Sequence, residues 1–271
     1  MRIHLLVLLM AWQSLCLSAF GQDLEKAPIK LGANTAVIAL HGKWGKPPGP
    51  LAASFEAAGA RVVSPVMTWS RDRLYDVDYP SALQEVHALV IQLRAEGAQT
   101  VVLAGHSLGA NAAIAYLARY GDVDALMIFA PGHVPEVQYR AGQTQASLKA
   151  ARERRESGLG ESRDFEFTDF NSGDRRRQIL SSAAVYLSFY EPQGLANMSE
   201  SAALVRAPIP VFYVGTSQDP IHRWGQGSRY IYDRLPTHRK SVYVESSAAH
   251  MDVPQAIAAP ATAFLATLAK P

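Results

Sequence analysis

The sequence contains one cysteine, Cys16, and that one lies within the first twenty-one residues. An intrachain disulfide is therefore excluded, and so is a cysteine-based metal site or thiol nucleophile in the body of the chain. Stability has to come from burial alone. Charge of one sign is also lacking: 26 Lys and Arg oppose 24 Asp and Glu, for a net +2. That balance argues against a nucleic-acid binder and against an acidic tail. No internal repeat and no low-complexity tract is present. What remains is a chain of 271 residues, 48% hydrophobic and 18% charged, an ordinary globular composition large enough for one sizeable core.

The first residues read differently. "MRIHLLVLLMAWQSLCLSAFGQ" places Arg2 before an apolar stretch, then reaches Ala19-Phe20-Gly21. Small residues at 19 and 21 predict a signal-peptidase cut before Gln22, so residues 1–21 are expected to be a signal peptide and the protein to be exported, periplasmic or secreted. The competing reading is an uncleaved anchor. The run from Ile3 to Phe20 is interrupted by His4, Gln13 and Ser14 and falls near the lower limit for spanning, about 17 residues, so no stable membrane insertion is expected after cleavage.

Beyond that segment, strand-like and helix-like stretches alternate. "TAVIALHG" (35–42) reads as a strand, "GPLAASFEAAG" (49–59) as a helix and "ARVVSP" (60–65) as a strand. In 81–97, Leu83, Val86, Leu89, Val90 and Leu93 recur with a helical period. "QTVVLAG" (99–105), "DALMIFAP" (124–131), "PIPVFYVG" (208–215) and "RKSVYVES" (239–246) complete the strands, with helices expected near 224–234 and 252–269. Alternation of this kind predicts a doubly wound, mostly parallel sheet with helices on both faces. Ligand sites in such sheets lie beyond the carboxyl ends of the strands. Residues 132–207 break the pattern: a charge-rich part, "KAARERRESGLGESRDFEFTDFNSGDRRRQIL", is followed by an aromatic part, "AAVYLSFYEPQG". An insertion this long is too large for a simple loop. It is read as a mostly helical cap or lid whose aromatic part faces the site, interrupting a core made of 22–131 and 208–271. The alternative is a solvent-exposed excursion without a role in binding.

The chemistry is sought at the strand ends. "LAGHSLGANAAIAYLARY" (103–120) sets Ser107 between Gly105 and Gly109 where a strand gives way to a helix. G-x-S-x-G alone is weak evidence, since average glycine and serine contents produce it by chance in roughly one chain in ten of this length. The physical context is stronger. A nucleophile elbow needs a strained serine, neighbours without bulky side chains, a strand before and a helix after, and all four requirements can be met here. A serine hydroxyl then needs a base, an acid to orient the base, and N–H donors for the tetrahedral intermediate.

His250, in the loop after the last strand, occupies the position the topology demands of the base; His87, His222 and His238 are assigned surface or core roles. Asp219, after the preceding strand in "VGTSQDPIH", is the expected acid, with Glu136 in reserve and Asp252 badly placed. An Asp-Pro turn is the plainer reading of Asp219. The expected oxyanion donors are the backbone N–H groups of Leu108, at the start of the helix, and of Lys43 in "HGKWG", where Gly42 frees the turn and Trp44 is second choice. His41 is expected to be a structural hydrogen-bonder. Trp44, Trp69, Tyr75, His133, Tyr186 and Phe189 are candidate walls for the substrate. For Trp69 and Tyr75, stacking on substrate and packing within their own loop stand as equal readings.

On these motifs ("GHSLG", "HGKWG", "GTSQD" and "AAH", in the order Ser107, Asp219, His250) the sequence resembles the α/β-hydrolase family over roughly residues 33–270. The resemblance implies an eight-stranded, mostly parallel sheet and neither cofactor nor metal. Few residues precede the first strong strand, so the usual opening hairpin is expected to be missing or reduced. The expected activity is hydrolysis of a carboxylic ester on a small acyl substrate, through an acyl-enzyme on Ser107 with His250 neutral in the active form. An amidase, peptidase or thioesterase using the same triad, or a non-catalytic binding protein on the same fold, are the alternatives.

Overall fold

In the computed structural model, residues 34–47, 50–171, 175–219 and 227–268 are described. The expected signal segment lies outside them, as does any opening hairpin ahead of residue 34.

Among the described residues, six strands rather than the expected eight form one sheet: β1 (Thr35–Leu40), β2 (Arg61–Val63), β3 (Thr100–Ser107), β4 (Ala125–Pro131), and, beyond the insertion, two more at Val211–Thr216 and Val242–Ser246. Within the insertion, β5 (Phe165–Phe170) and β6 (Arg176–Ser181) form a separate antiparallel pair, so the last two sheet strands are β7 and β8. The sheet order is β2-β1-β3-β4-β7-β8, and every pairing in it is parallel. Side chains alternate between two cores. Ala36, Ile38 and Leu40 of β1 face one side with Val101 and Leu103 of β3. Val37 faces the other with Val102 and Ala104. Strands buried on both faces must read as continuous apolar runs, which is why their sequences do.

Helices cover both faces. On the first, α2 (Tyr79–Ala95) and α3 (Leu108–Arg119) pack with the insertion; on the second lie α1 (Pro50–Ala57) and the C-terminal helix. The Asp78 side chain caps α2 by accepting from Ser81 N–H at 2.7 Å, and Leu83, Val86, Val90 and Leu93 form its buried stripe. The expected single helix near 252–269 is two pieces. Pro260 has no N–H to donate into a preceding turn, so the helix begins again beside it. The two pieces span Val253–Ala256 and Ala258–Ala266.

The insertion between β4 and β7 is not mostly helical. It holds α4 (Pro135–Arg140), α5 (Gln145–Glu156), the β5–β6 hairpin, α6 (Ala183–Tyr190) and α7 (Met198–Leu204); α8 (Gly227–Tyr232) follows β7. The hairpin arises where the charge-rich stretch alternates with period two, "FEFTDF", placing Phe167 and Asp169 on the buried face. Leu148, Phe167, Ile179, Tyr186 and Phe189 join the first core without a break. The insertion is thus continuous with the sheet's hydrophobic core.

Candidate active site

Ser107 ends β3 with φ 56° and ψ −119°. A side chain in that conformation is strained, and such strain gathers at functional positions. The surroundings leave no room for larger neighbours. A Cβ on Gly105 would lie 2.2 Å from the carbonyl oxygen of Gly109, and one on Gly109 would lie 2.3 Å from the carbonyl oxygen of Leu40. Both glycines of G-x-S-x-G are therefore required by close backbone approach. The pairing of β3 with β4 also shifts register between His106 and Ser107.

Three strand ends meet over this serine. A Cβ on Gly132, just past β4, would lie 2.8 Å from Ser107 Oγ and 3.5 Å from His250 Cε1, so hydroxyl and imidazole border the same small space. His250 Nδ1 lies 2.8 Å from Asp219 Oδ2, and both side chains are buried. With Nδ1–H donated to the carboxylate, Nε2 of the neutral ring is left with a lone pair. The loops that carry these two residues are tied together: Thr216 Oγ1 donates to the Ala248 carbonyl at 2.5 Å and accepts from Gln218 N–H. Glu136, the reserve acid, lies in α4, where burial raises its carboxyl above the ordinary value.

Sequence reasoning missed Thr216 and His106. His106 Nε2 lies 2.9 Å from the His250 carbonyl, and the two rings are 5.0 Å apart. Loss of hydration, and then the neighbouring His250, push the His106 pKa down to about 4, so the ring is neutral and donates that bond. The signal for it was its position beside the elbow serine, on the opposite side of the strand.

The turn after β1 is fixed from several directions. His41 Nε2 accepts from Met67 N–H at 3.1 Å, and the Trp69 indole donates to the His41 carbonyl at 2.8 Å. Trp44, at φ 58°, commits its backbone N–H to Trp69 O at 2.9 Å. Lys43 N–H makes no bond to another described residue, and Leu108 stands at the first position of α3, where backbone N–H groups have no intrahelical acceptor.

The Lys43 side chain takes a course that no local pattern announces. It turns inward under the insertion, where Nζ lies 2.7 Å from Asp169 Oδ1, 2.7 Å from Phe170 O, 2.8 Å from the Tyr190 hydroxyl and 3.2 Å from His133 Nδ1. Asp169 accepts four donors: Lys43 and Tyr190 on Oδ1, the Trp44 indole at 2.6 Å and the Tyr75 hydroxyl at 2.8 Å on Oδ2. Burial alone would raise this carboxyl, but Lys43 and the other donors hold it below its ordinary value, and it is ionised.

The six wall candidates all enter this one cluster. Trp69, Tyr75, Tyr186 and Phe189 are at most 1% exposed and His133 is buried, while Trp44 is half-buried with the Arg177 guanidinium 5.2 Å over its ring. Phe189 meets Trp69, Tyr75, Tyr79 and His133 edge-on. Burial this complete assigns Trp69, Tyr75, Tyr186 and Phe189 to packing and leaves Trp44 as the aromatic with surface to offer. An apolar cavity of about 240 Å³ opens on the other face of the sheet, among Ala39, Ala104, Phe129, Met251 and Pro254, with His106 and Gly42 in its wall. Among the described residues, no group of three or more His, Cys, Asp or Glu could hold a metal ion, and no helix is long and apolar enough to cross a membrane.

A parallel sheet with a strained serine at one strand end and an Asp–His pair at two others defines a hydrolase-type architecture. The profile of the alpha/beta hydrolase family matches residues 37–260, and the chain belongs to that family. No curated protein sequence matches it. Solved structures share the fold at low identity. A monoacylglycerol lipase of Paleococcus ferrophilus is 15% identical, over 89% of this chain and 98% of that one, with TM-score 0.60. A highly thermostable carboxyl esterase of Bacillus coagulans is 15% identical, over 86% and 88%, with TM-score 0.61. A structure from work on LipS and LipT, two metagenome-derived lipolytic enzymes, is 14% identical, over 87% and 95%, with TM-score 0.61.

Proposed function

We propose that the protein is a serine hydrolase acting on a carboxylic ester. Ser107 attacks the carbonyl carbon, and His250 Nε2 takes the hydroxyl proton and returns it to the leaving alkoxide. Asp219 stabilises the imidazolium formed in between. The oxyanion is met by the N–H groups of Lys43 and Leu108, the latter at a helix N-terminus that favours negative charge. Water then resolves the acyl-enzyme by the reverse sequence. The observation that carries this reading is the convergence on one point beside Gly132: the hydroxyl of a serine with strained backbone and the imidazole held by Asp219 at 2.8 Å. The ester is preferred over other acyl substrates because proteins sharing the fold include a carboxyl esterase and lipolytic enzymes. The composition of residues 1–21 supports an exported enzyme.

The test is covalent labelling with a fluorophosphonate, together with hydrolysis of p-nitrophenyl esters. Wild type is expected to label and turn over. Ser107→Ala is expected to fold, to lose labelling and to fall roughly 10⁴–10⁶-fold in turnover. A Ser107→Ala protein as active as wild type, or a folded wild type that neither labels nor hydrolyses any acyl substrate, overturns the assignment.

A further inference from the structure

We infer that Asp169, on the inserted hairpin, is a positioning residue for the oxyanion turn and acts through the side chain of Lys43. The inference rests on the serine-hydrolase reading above.

Three observations lead to it. First, Lys43 is the residue whose backbone N–H is proposed to meet the oxyanion, yet its own ammonium points away from the solvent, 3% exposed, into the insertion. An unpaired charge there would be costly; the pair is retained because every polar atom in it is answered. Nζ faces Asp169, Phe170 O, Tyr190 and His133, and Asp169 has two donors on each oxygen. Second, the neighbouring residue of the same turn is held by the same carboxylate, because the Trp44 indole donates to Asp169 Oδ2. Two successive residues of the turn are thus anchored to one buried group that belongs to a different part of the chain. Third, the turn needs anchoring. Trp44 sits at φ 58°, a conformation costly for a residue with a side chain, and Gly45 N–H closes back on Gly42 O at 3.0 Å, so the direction of the Lys43 N–H depends on this strained bend being held.

The insertion then does more than cover the site. Asp169 fixes Lys43 at its far end and Trp44 beside it, and the peptide N–H at 43 is aimed before substrate arrives. Preorganised donors of this kind act on the transition state and contribute little to ground-state binding. Asp169 touches no reacting atom, so its effect is expected in turnover rather than in KM.

The experiment compares wild type, Asp169→Asn and Tyr190→Phe in ester hydrolysis and in fluorophosphonate labelling, with folding checked by circular dichroism and thermal unfolding. Asp169→Asn preserves shape and removes the charge that holds Lys43. Its kcat is expected to fall roughly 10–100-fold with KM changed less than about threefold, and its labelling rate to fall in parallel. Tyr190→Phe removes one bond to each member of the pair and keeps both charges; a drop of roughly threefold to tenfold in kcat is expected. If Asp169→Asn does not fold, Tyr190→Phe decides alone. Folded variants with wild-type kcat, or with KM raised and kcat unchanged, overturn the proposal and leave the network with packing only. Failure of the underlying reading looks different: wild type itself would neither label nor turn over.

Discussion

Acidification tests the buried network without any assumption about catalysis. His133 donates from Nε2 to the Phe189 carbonyl at 2.7 Å, which leaves Nδ1 as the acceptor facing Lys43 Nζ at 3.2 Å. Protonating it would bury a second cation against the first. Burial and then Lys43 push its pKa down from 6.5 to about 3, and His106 is pushed down to about 4. Both native values are depressed, so between pH 6.5 and about 4 the unfolded chain binds protons that the native chain refuses. This contribution to stability is complete above pH 6.5 and is lost as pH falls below it. Each such histidine costs about 1.4 kcal/mol per pH unit, or about 2 kcal/mol between pH 6.5 and 5. Two of them remove about 4 kcal/mol, a large share of the 5–15 kcal/mol expected of a globular domain. Urea unfolding at a series of pH values from about 7 to about 5 measures this directly. Glu136 works in the opposite sense, since burial raises its carboxyl, so a wild-type curve alone mixes the two. His133→Asn separates them. Asparagine tolerates the φ of 66° at this position and can still accept from Lys43, but does not titrate. The variant is expected to be less stable at pH 7 and to lose about 1.4 kcal/mol per pH unit less on acidification than wild type. Equal slopes in the two proteins would show that His133 is not held neutral by this environment, and the account of the cluster would fail.

Two further outcomes follow from the serine itself and the space above it. Ser107→Gly removes a side chain from a backbone conformation suited to glycine, and is expected to raise unfolding stability by about 1 kcal/mol while abolishing turnover; a loss of stability would mean that the elbow stores no strain. Gly132→Ala is expected to fold with stability within about 1 kcal/mol of wild type, because its φ is not in the left-handed region, yet to lose roughly tenfold or more in kcat as the new methyl presses on Ser107 Oγ; unchanged kcat would place the reacting carbonyl elsewhere.

Much of this arrangement was legible in the sequence because it depends on short-range pattern. Continuous apolar runs separated by helical periods announce a parallel sheet, and the elbow announces itself through two glycines that the close approach of Leu40 and Gly109 makes obligatory. The proximity of Asp219 and His250, 31 residues apart, follows from topology, since a parallel sheet brings every strand's carboxyl end to one edge. The walls were not legible. Trp69 and Phe189 are aromatic in either role, and only packing tells a lining ring from a core ring. The hairpin of the insertion was masked by its charge, although the alternation in Phe165, Phe167 and Asp169 carries the signal. A carboxylate on the apolar face of a strand asks for a cation, and Lys43, 126 residues away, answers it through a contact that no local pattern encodes.

The distribution of strain connects these pieces. Among the described residues Trp44, Leu74, Tyr75, Ser107, Ala130 and His133 have positive φ without being glycine, and all lie at strand ends or in the loops beside them. Strained backbone persists only where the surroundings over-determine it. At Ser107 the constraint is the paired β3 and the start of α3. At Trp44, Tyr75 and His133 it is the Lys43–Asp169 cluster, which binds the side chain of each. Three of these six unfavourable conformations are therefore held by one buried ion pair shared between core and insertion. Loosening that pair should release them together, as one cooperative unit rather than as three separate loops.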